Sequence, residues 1–332
     1  MRVLVSGGCG FIGSHLVDRL LRRVDVRELV VVDNLWTGLE RNLAHVSDPR
    51  LQVVIADVEA FSAAVPFDEI YHLASPATPL SYMAEPVRTI SANVAGAIRL
   101  LGLLAPGGLI CFTSTSEVYG DAEVSPQPEG YRGSVDCTGP RASYDEAKRC
   151  TEAVLFEARR AHGVRVKVVR LFNVFGPRTR ADDGRAVSNF VSQALRGLPL
   201  TIYGDGSQTR SWGYVDDILD ALERYFWLDG TDYAGPVNIG NPREVAVIKV
   251  AEYVARSFPG ATLAFQPPAP QDPTNRRPDL TLCNQIIPGW ACTVPYEEGV
   301  QRAIEWFRHE LLATTADAPG WTAARRSGAR PV

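Results

Sequence analysis

One stretch limits the possible folds more than any other. Val3-Leu4-Val5-Ser6-Gly7-Gly8-Cys9-Gly10-Phe11-Ile12-Gly13-Ser14-His15-Leu16 is a short apolar run that breaks into glycines and resumes with helical spacing. Gly8, Gly10 and Gly13 satisfy G-x-G-x-x-G, and Gly7, Gly10 and Gly13 the looser G-x-x-G-x-x-G. Either reading puts a tight turn where backbone amides and a helix N-terminus face an anion. Glycine is expected there because a Cβ would hold a pyrophosphate off the backbone. Glycine-rich turns are common, so the flanking context carries the inference. Val30-Val31-Val32-Asp33-Asn34 follows Gly13 at the spacing of a second strand. An acidic residue ending that strand accepts adenosine ribose hydroxyls and repels a 2′-phosphate, which predicts NAD in preference to NADP.

The alternation continues. Apolar runs at 2–5, 29–32, 51–55, 69–73, 109–113 and 166–172 are separated by helical patterns. That order predicts an α/β fold with a doubly wound parallel (Rossmann) sheet covered on both faces. After residue 175 proline and glycine become frequent and strand-like runs shorten. We therefore divide the chain into an NAD-binding domain at 1–175, with a returning segment near 213–240, and a smaller discontinuous substrate lobe at 176–312. Within that lobe 267–278 reads as a proline-rich loop and 296–312 as an amphipathic helix. A loosely held tail follows at 313–332.

Composition excludes several classes. With 332 residues, 45% hydrophobic, and a net charge of −4, the chain is neither disordered nor attracted in general to nucleic acid or anionic membrane. The apolar run after Met1-Arg2 stops at Ser6, so no signal peptide is predicted, and no segment nears the ~18 apolar residues of a membrane span. Six scattered cysteines without a C-x-x-C pair predict reduced thiols and a cytoplasmic setting. The five histidines are scattered too, and no metal site is expected.

Chemistry-bearing residues cluster where the strands should end. Asp57 follows the third strand, placed either to reach an adenine amino group or to cap a helix. His72-Leu73-Ala74-Ser75 ends the fourth; small residues there suit a nicotinamide ribose or a plain turn, and His72 reads as a packed core histidine. Thr113-Ser114-Thr115-Ser116-Glu117 ends the fifth, the edge at which open α/β sheets bind ligands. Tyr144-Asp145-Glu146-Ala147-Lys148 then opens a helix running to about His162, with Tyr144 and Lys148 on one face. Chance Tyr-x-x-x-Lys matches are frequent; three sites in this order are not.

With Lys148 in place, the chain resembles the extended short-chain dehydrogenase/reductase family in its nucleotide-sugar epimerase/dehydratase group. Within that group it most resembles the UDP-glucuronate decarboxylase branch. The likeness covers about residues 1–312: HLASPATP at 72–79, TSTSEVYGD at 113–121, GPRASYDEAKR at 139–149, RLFNVFGPR at 170–178, DDGRAVSNF at 182–190, IYGDGSQTRSW at 202–212 and QDPTNRRPD at 271–279.

The resemblance implies that Tyr144 is the base, Lys148 its activator and a ribose ligand, and Thr115 the hydroxyl that orients the sugar 4-OH. A nearby ammonium is expected to lower the phenol from its ordinary ~10 by roughly three units. Ser116, Glu117 and Arg276 receive roles around the sugar carboxylate. Ser116 stands where the sister dehydratases carry an aspartate, which disfavours dehydration. The cofactor residues implied are Gly7, Gly10, Phe11, Ile12 and Gly13 in the loop, Asn34, Thr37 and Gly38 beside Asp33, and Asp57 with Val58. Leu73, Ala74 and Ser75 complete them. The nucleotide-sugar residues implied are Arg88, Asn173, Arg178, Arg185, Asn189, Tyr203, Gln208 and Arg210, joined by Arg276.

The implied reaction oxidises carbon 4 of a glucuronosyl ring, loses carbon dioxide from the β-keto acid, and is completed by re-reduction, with NAD and no metal. Glu117 is expected to have a raised pKa and to relay a proton, so that Glu117→Gln stops turnover without cost to stability. Helices at 85–104 and 143–162 are expected to build a homodimer contact. The alternatives are a 4-epimerase acting on UDP-glucuronate or another UDP-sugar, and a non-catalytic NAD(P)-binding regulator. The regulator is disfavoured because Tyr144, Lys148 and Thr115 all stand.

Overall fold

The computed structural model describes residues 1–230, 233–268 and 276–316, and only the backbone of 311–316. Residues 269–275 of the proline-rich loop and 317–332 of the expected tail lie outside the described residues.

Seven parallel strands form one sheet: β1 (Arg2–Ser6), β2 (Glu28–Asp33), β3 (Leu51–Ile55), β4 (Phe67–His72), β5 (Leu104–Thr115), β6 (Arg165–Leu171) and β7 (Pro236–Ile239), in the order β7-β6-β5-β4-β1-β2-β3. The order reverses between β1 and β4, so the crevice at their C-terminal ends is the place this topology offers to a ligand. Val3, Leu4 and Val5 are all fully buried. Val3, Val5 and Val31 enter the core on one face; Leu4, Val30 and Val32 enter that on the other. A sheet covered on both sides therefore reads as a continuous apolar run instead of an alternating one. Each such side chain contributes roughly 1.5–3 kcal/mol on burial, and Leu4→Ala would cost about 2–5 kcal/mol through the cavity it leaves. β7 is only four residues, too short to show a period, and the pattern alone gave no more than a returning segment there.

Helix Phe11–Leu20 follows β1 and buries Leu16, Val17 and Leu20 against the sheet. On the opposite face helices Pro86–Leu101 and Ala142–His162 pack side by side. Gly96 permits the first of these its close approach, since a Cβ there would sit 2.8 Å from Val58 Cγ1. The second ends at Gly163, whose φ of 67° closes the last turn with an N–H bond to Arg159.

Beyond β6 short strands pair across the chain: Val174–Phe175 with Gly213–Tyr214, Leu200–Tyr203 with Leu263–Gln266, and Thr209–Ser211 with Glu244–Ala246. Their core is continuous with one face of the sheet, Val250 and Val3 belonging to one apolar cluster.

Candidate active site

Gly7 has φ +77°, and a Cβ there would meet Ala74 N at 2.7 Å; at Gly13 it would meet Gly7 O at 2.1 Å, and at Gly8 Val31 Cγ1 at 2.7 Å. Three of the four glycines are thus demanded by the protein's own packing, which corrects the reason expected from the motif. Gly10 differs: its Cβ would meet only Gly7 O, at 3.1 Å. Gly10 is also the N-cap of helix Phe11–Leu20, with no side-chain cap and no acidic residue in the first turn. Open space before an uncapped, unneutralised helix N-terminus suits a pyrophosphate.

Asp33 ends β2, buried, with Oδ2 accepting from Cys9 N at 2.9 Å and Oδ1 from Leu35 N at 2.8 Å. Burial raises its pKa against those two bonds. Gly38 leaves it room, since a Cβ there would lie 2.8 Å from Asp33 Oδ1; Thr37 is half-buried beside it. Asn34 Nδ2 donates to Asp57 Oδ1 at 2.6 Å, and Arg88 NH2 to the same oxygen at 3.1 Å. These bonds, Asn34's first, hold the Asp57 carboxyl below its usual range. The Arg88 guanidinium also lies 4.6 Å over the Trp36 ring. Arg88 therefore stands with the β2 and β3 ends. At the β4 exit Leu73 N donates to Ser6 O at 2.9 Å, Ala74 closes on Gly7, and Ser75 Oγ accepts from Asn93 Nδ2 at 3.0 Å. Val58 packs into the core. His72 is the packed histidine expected, held by Ser6 Oγ at 2.8 Å and Asn93 O at 3.2 Å. These groups fit a dinucleotide lying across the crevice from β2 to β4.

Next to that track, β5 runs into the turn Ser116–Tyr119. Thr115 Oγ1 accepts from Glu117 N at 3.2 Å and hydrogen-bonds the Tyr144 hydroxyl. Lys148 Nζ donates to Thr113 O at 2.9 Å and lies 5.8 Å from the Tyr144 ring centroid. Both side chains are buried. The expectation of a lowered phenol pKa is overturned: desolvation raises Tyr144 despite the Thr115 bond, and the same desolvation brings Lys148 down to about 7. Tyr82 stacks on Tyr144 at 5.1 Å and 9°. It comes from helix Pro79–Ala84, which Ser143 Oγ ties to the head of helix Ala142–His162 by donating to Tyr82 O at 3.3 Å.

Glu117 faces two guanidiniums. Its Oε2 accepts from Arg141 NH2 at 2.6 Å and Arg276 NH2 at 3.2 Å. Burial alone would raise its pKa, but Arg276 and then Arg141 outweigh it and hold the carboxyl at about 2. The expected rise toward neutrality is therefore corrected: Glu117 is a fixed anion. The raised carboxyl is Asp145, pushed by burial and then by Glu117 up to about 7. Arg141, Asp145 and Tyr82 were not singled out by sequence. An Arg-x-x-x-Asp spacing at a helix start was the available signal for the first two.

The remaining residues scatter more. Asn173 keeps a buried Nδ2 without a partner while its carbonyl accepts from Gly213 N at 2.9 Å. Arg185 pairs with Asp183 at 2.6 Å and lies 5.4 Å over the Phe11 ring, facing the half-buried Ile12 turn. Asn189 donates to Gly184 O at 3.0 Å, and Gln208 to the carbonyl of half-exposed Tyr203 at 2.9 Å. Buried Arg210 donates to Thr209 O at 2.8 Å, and its neighbour Ser211 donates to Arg276 O at 2.7 Å, which joins this strand to the Glu117 cluster. Ser116 is buried in the turn. Arg178 is drawn elsewhere: its guanidinium pairs with Asp18 of the first helix at 2.7 Å, so it braces the loop after Phe175. Among the described residues no group of His, Cys, Asp and Glu is arranged to hold a metal, all six cysteines are free, and no helix is long and apolar enough to cross a membrane.

The model of the NAD dependent epimerase/dehydratase family matches residues 3–240. UDP-glucuronic acid decarboxylase 5 of Arabidopsis thaliana is 45% identical over 314 residues, covering 94% of this chain and 90% of that protein. Among solved structures, the UDP-glucose 4-epimerase of Thermotoga maritima with UDP-glucose superposes with a TM-score of 0.82 at 29% identity, covering 94% of this chain and 100% of that one. The dTDP-glucose 4,6-dehydratase DesIV of Streptomyces venezuelae, with NAD bound, gives 0.82 at 27% identity over 93% and 97%.

Proposed function

The chain belongs to the NAD dependent epimerase/dehydratase family, and we propose that within it the protein is a decarboxylase converting UDP-glucuronate to UDP-xylose and carbon dioxide. One observation carries this reading: the Arg276–Glu117–Arg141 cluster adjoins the Thr115–Tyr144–Lys148 group, with Glu117 N bonded to Thr115 Oγ1. Cations for a carboxylate thus stand beside a base for a hydroxyl.

Gly10, Asp33 and Asp57 would hold NAD, which when bound would supply the hydride acceptor for the 4-position and the hydride for re-reduction. Tyr144 takes the proton of the sugar 4-OH against the burial that raises its own pKa, Thr115 holds that hydroxyl in line, and Lys148, 5.8 Å from the phenol ring, offsets part of that cost when it is protonated. The resulting β-keto acid loses carbon dioxide, and its electron pair passes into an enolate. Arg276 and Arg141 hold the departing carboxylate. Carbon 5 then gains a proton, and Tyr144 returns its own proton to the 4-oxygen on re-reduction. The carboxylate becomes neutral carbon dioxide, so one proton is drawn from solvent per turnover. Glu117, fixed as an anion, aligns the arginines and is not that proton's carrier. Ser116 gives no acid for expelling a 6-hydroxyl. Asn173, Arg185, Asn189, Tyr203, Gln208 and Arg210 serve the nucleotide diphosphate, with 176–312 as the substrate lobe over the 1–175 domain.

The protein acts as a homodimer through helix Pro86–Leu101 and its neighbour. Val87, Ile90 and Ile98 on that helix are exposed by 77%, 44% and 56%, and they support the assignment. The six unpaired cysteines favour the cytoplasm. Incubating the NAD-loaded protein with UDP-glucuronate and identifying the product by NMR tests the reading: UDP-xylose with carbon dioxide sustains it, and UDP-galacturonate would make the protein an epimerase instead.

A further inference from the structure

At the head of helix Ala142–His162 two carboxylates compete for one arginine. Arg141 donates to Glu117 at 2.6 Å, while Asp145, one turn further on, has Oδ2 4.0 Å from Arg141 Nε. Asp145 is 5% exposed, and its Oδ1 is buried without a hydrogen-bond partner. Buried carboxylates are ordinarily saturated with donors. An acidic residue in a first helical turn also favours the helix dipole, but an exposed residue would serve as well, and burial would then have no purpose. Charge gives it one. Counted over Glu117, Arg141 and Arg276 alone, the side chains sum to one positive charge, the complement of a single carboxylate. An ionised Asp145 cancels it.

We propose that Asp145 is a specificity-setting positioning residue: by sharing Arg141 with Glu117, it sets the net charge that the Glu117–Arg141–Arg276 cluster presents to the carboxylate of a uronic-acid nucleotide sugar. The inference deepens the decarboxylase reading and rests on it. The groups facing Asp145 are Glu117 from the turn after β5, Arg276 from the segment beside Ser211, Tyr82 from helix Pro79–Ala84, and Arg141, Tyr144 and Glu146 on its own helix. Burial and then Glu117 raise its pKa against the two arginines, to about 7. The sign follows directly. Below about 7 Asp145 is protonated and the cluster is positive; above it the proton leaves, the charge cancels, and a carboxylated sugar loses affinity. Linkage to one proton caps that loss at roughly tenfold per pH unit. A nucleotide sugar without a carboxylate is indifferent to it.

The test is calorimetric titration of NAD-loaded Tyr144→Phe protein, which is not expected to turn over, with UDP-glucuronate and with UDP-xylose from pH 6 to 9. The ratio of the two dissociation constants should climb by several-fold, up to roughly tenfold, between pH 7.5 and 8.5. In Tyr144→Phe/Asp145→Asn it should stay flat. A brace for the helix would shift both ligands together and leave no slope. A pH-independent ratio with Asp145 present overturns the proposal, and so does a slope that survives Asp145→Asn. Should the double variant not fold, the ratio measured with Asp145 intact decides alone. Failure of both nucleotide sugars to bind at every pH would instead overturn the decarboxylase reading.

Discussion

Replacing Glu117 by glutamine tests whether the cluster is an ionic device. Its carboxyl drops from an ordinary 4.5 to about 2 in the folded protein. That difference corresponds to about 3 kcal/mol of stability at pH 7. The figure agrees with the ~3–5 kcal/mol typical of breaking a buried ion pair from one side, here the pair that Glu117 makes with Arg276, which is 2% exposed. Because the folded pKa lies below the unfolded one, the contribution is fully present above about 4.5 and is lost as pH falls through about 2. Urea unfolding of wild type and Glu117→Gln should therefore show a gap of about 3 kcal/mol at pH 7, narrowing to roughly half by pH 3. This reverses the expectation, drawn from sequence, that the substitution would leave stability untouched. Release of carbon dioxide from UDP-glucuronate should fall by more than ~100-fold as the arginines lose their alignment, while NAD affinity holds. Equal stability of the two proteins at pH 7 would refute the ion-held carboxylate. Wild-type turnover in a destabilised variant would confine Glu117 to a structural part.

Tyr144→Phe deletes one hydroxyl with little change in volume; turnover should drop by at least ~1,000-fold with the fold and NAD binding intact, and wild-type turnover would mean that another group is the base. Gly10→Ala should weaken NAD binding while the protein still folds, whereas Gly13→Ala, whose Cβ would meet Gly7 O at 2.1 Å, should yield no soluble protein; a thermal shift assay with and without NAD separates the two. Binding titrations should favour NAD over NADP, since Asp33 closes β2 against a 2′-phosphate, and equal affinities would refute that assignment. Light scattering at micromolar concentration should give the mass of a dimer, and a monomer mass would leave the apolar surface of helix Pro86–Leu101 without its proposed cover.

What could be read in the sequence is what is local. The loop at 6–13, the strand ends at Asp33, Asp57 and Ser75, and the Tyr144–Lys148 spacing are each signalled by a pattern within one strand–turn–helix unit, even where their contacts cross to another, as Gly7 does to Ala74 and Asp33 to Cys9. What is not local to a motif is where residues far apart in sequence meet. Arg178 falls to Asp18, 160 positions away, and Arg88 to Asp57; neither pairing leaves a trace in spacing. Glu117 shows the limit most clearly. As a lone carboxyl entering a closed site it should gain a raised pKa. Arg276 arrives from 159 positions away and inverts the sign, and the cost of burial passes to Asp145, the carboxyl left with the weaker claim on Arg141. Which of two neighbouring acids keeps its proton is therefore a property of how the guanidiniums are shared, and it is decided only when Arg276 meets Glu117 at the end of β5.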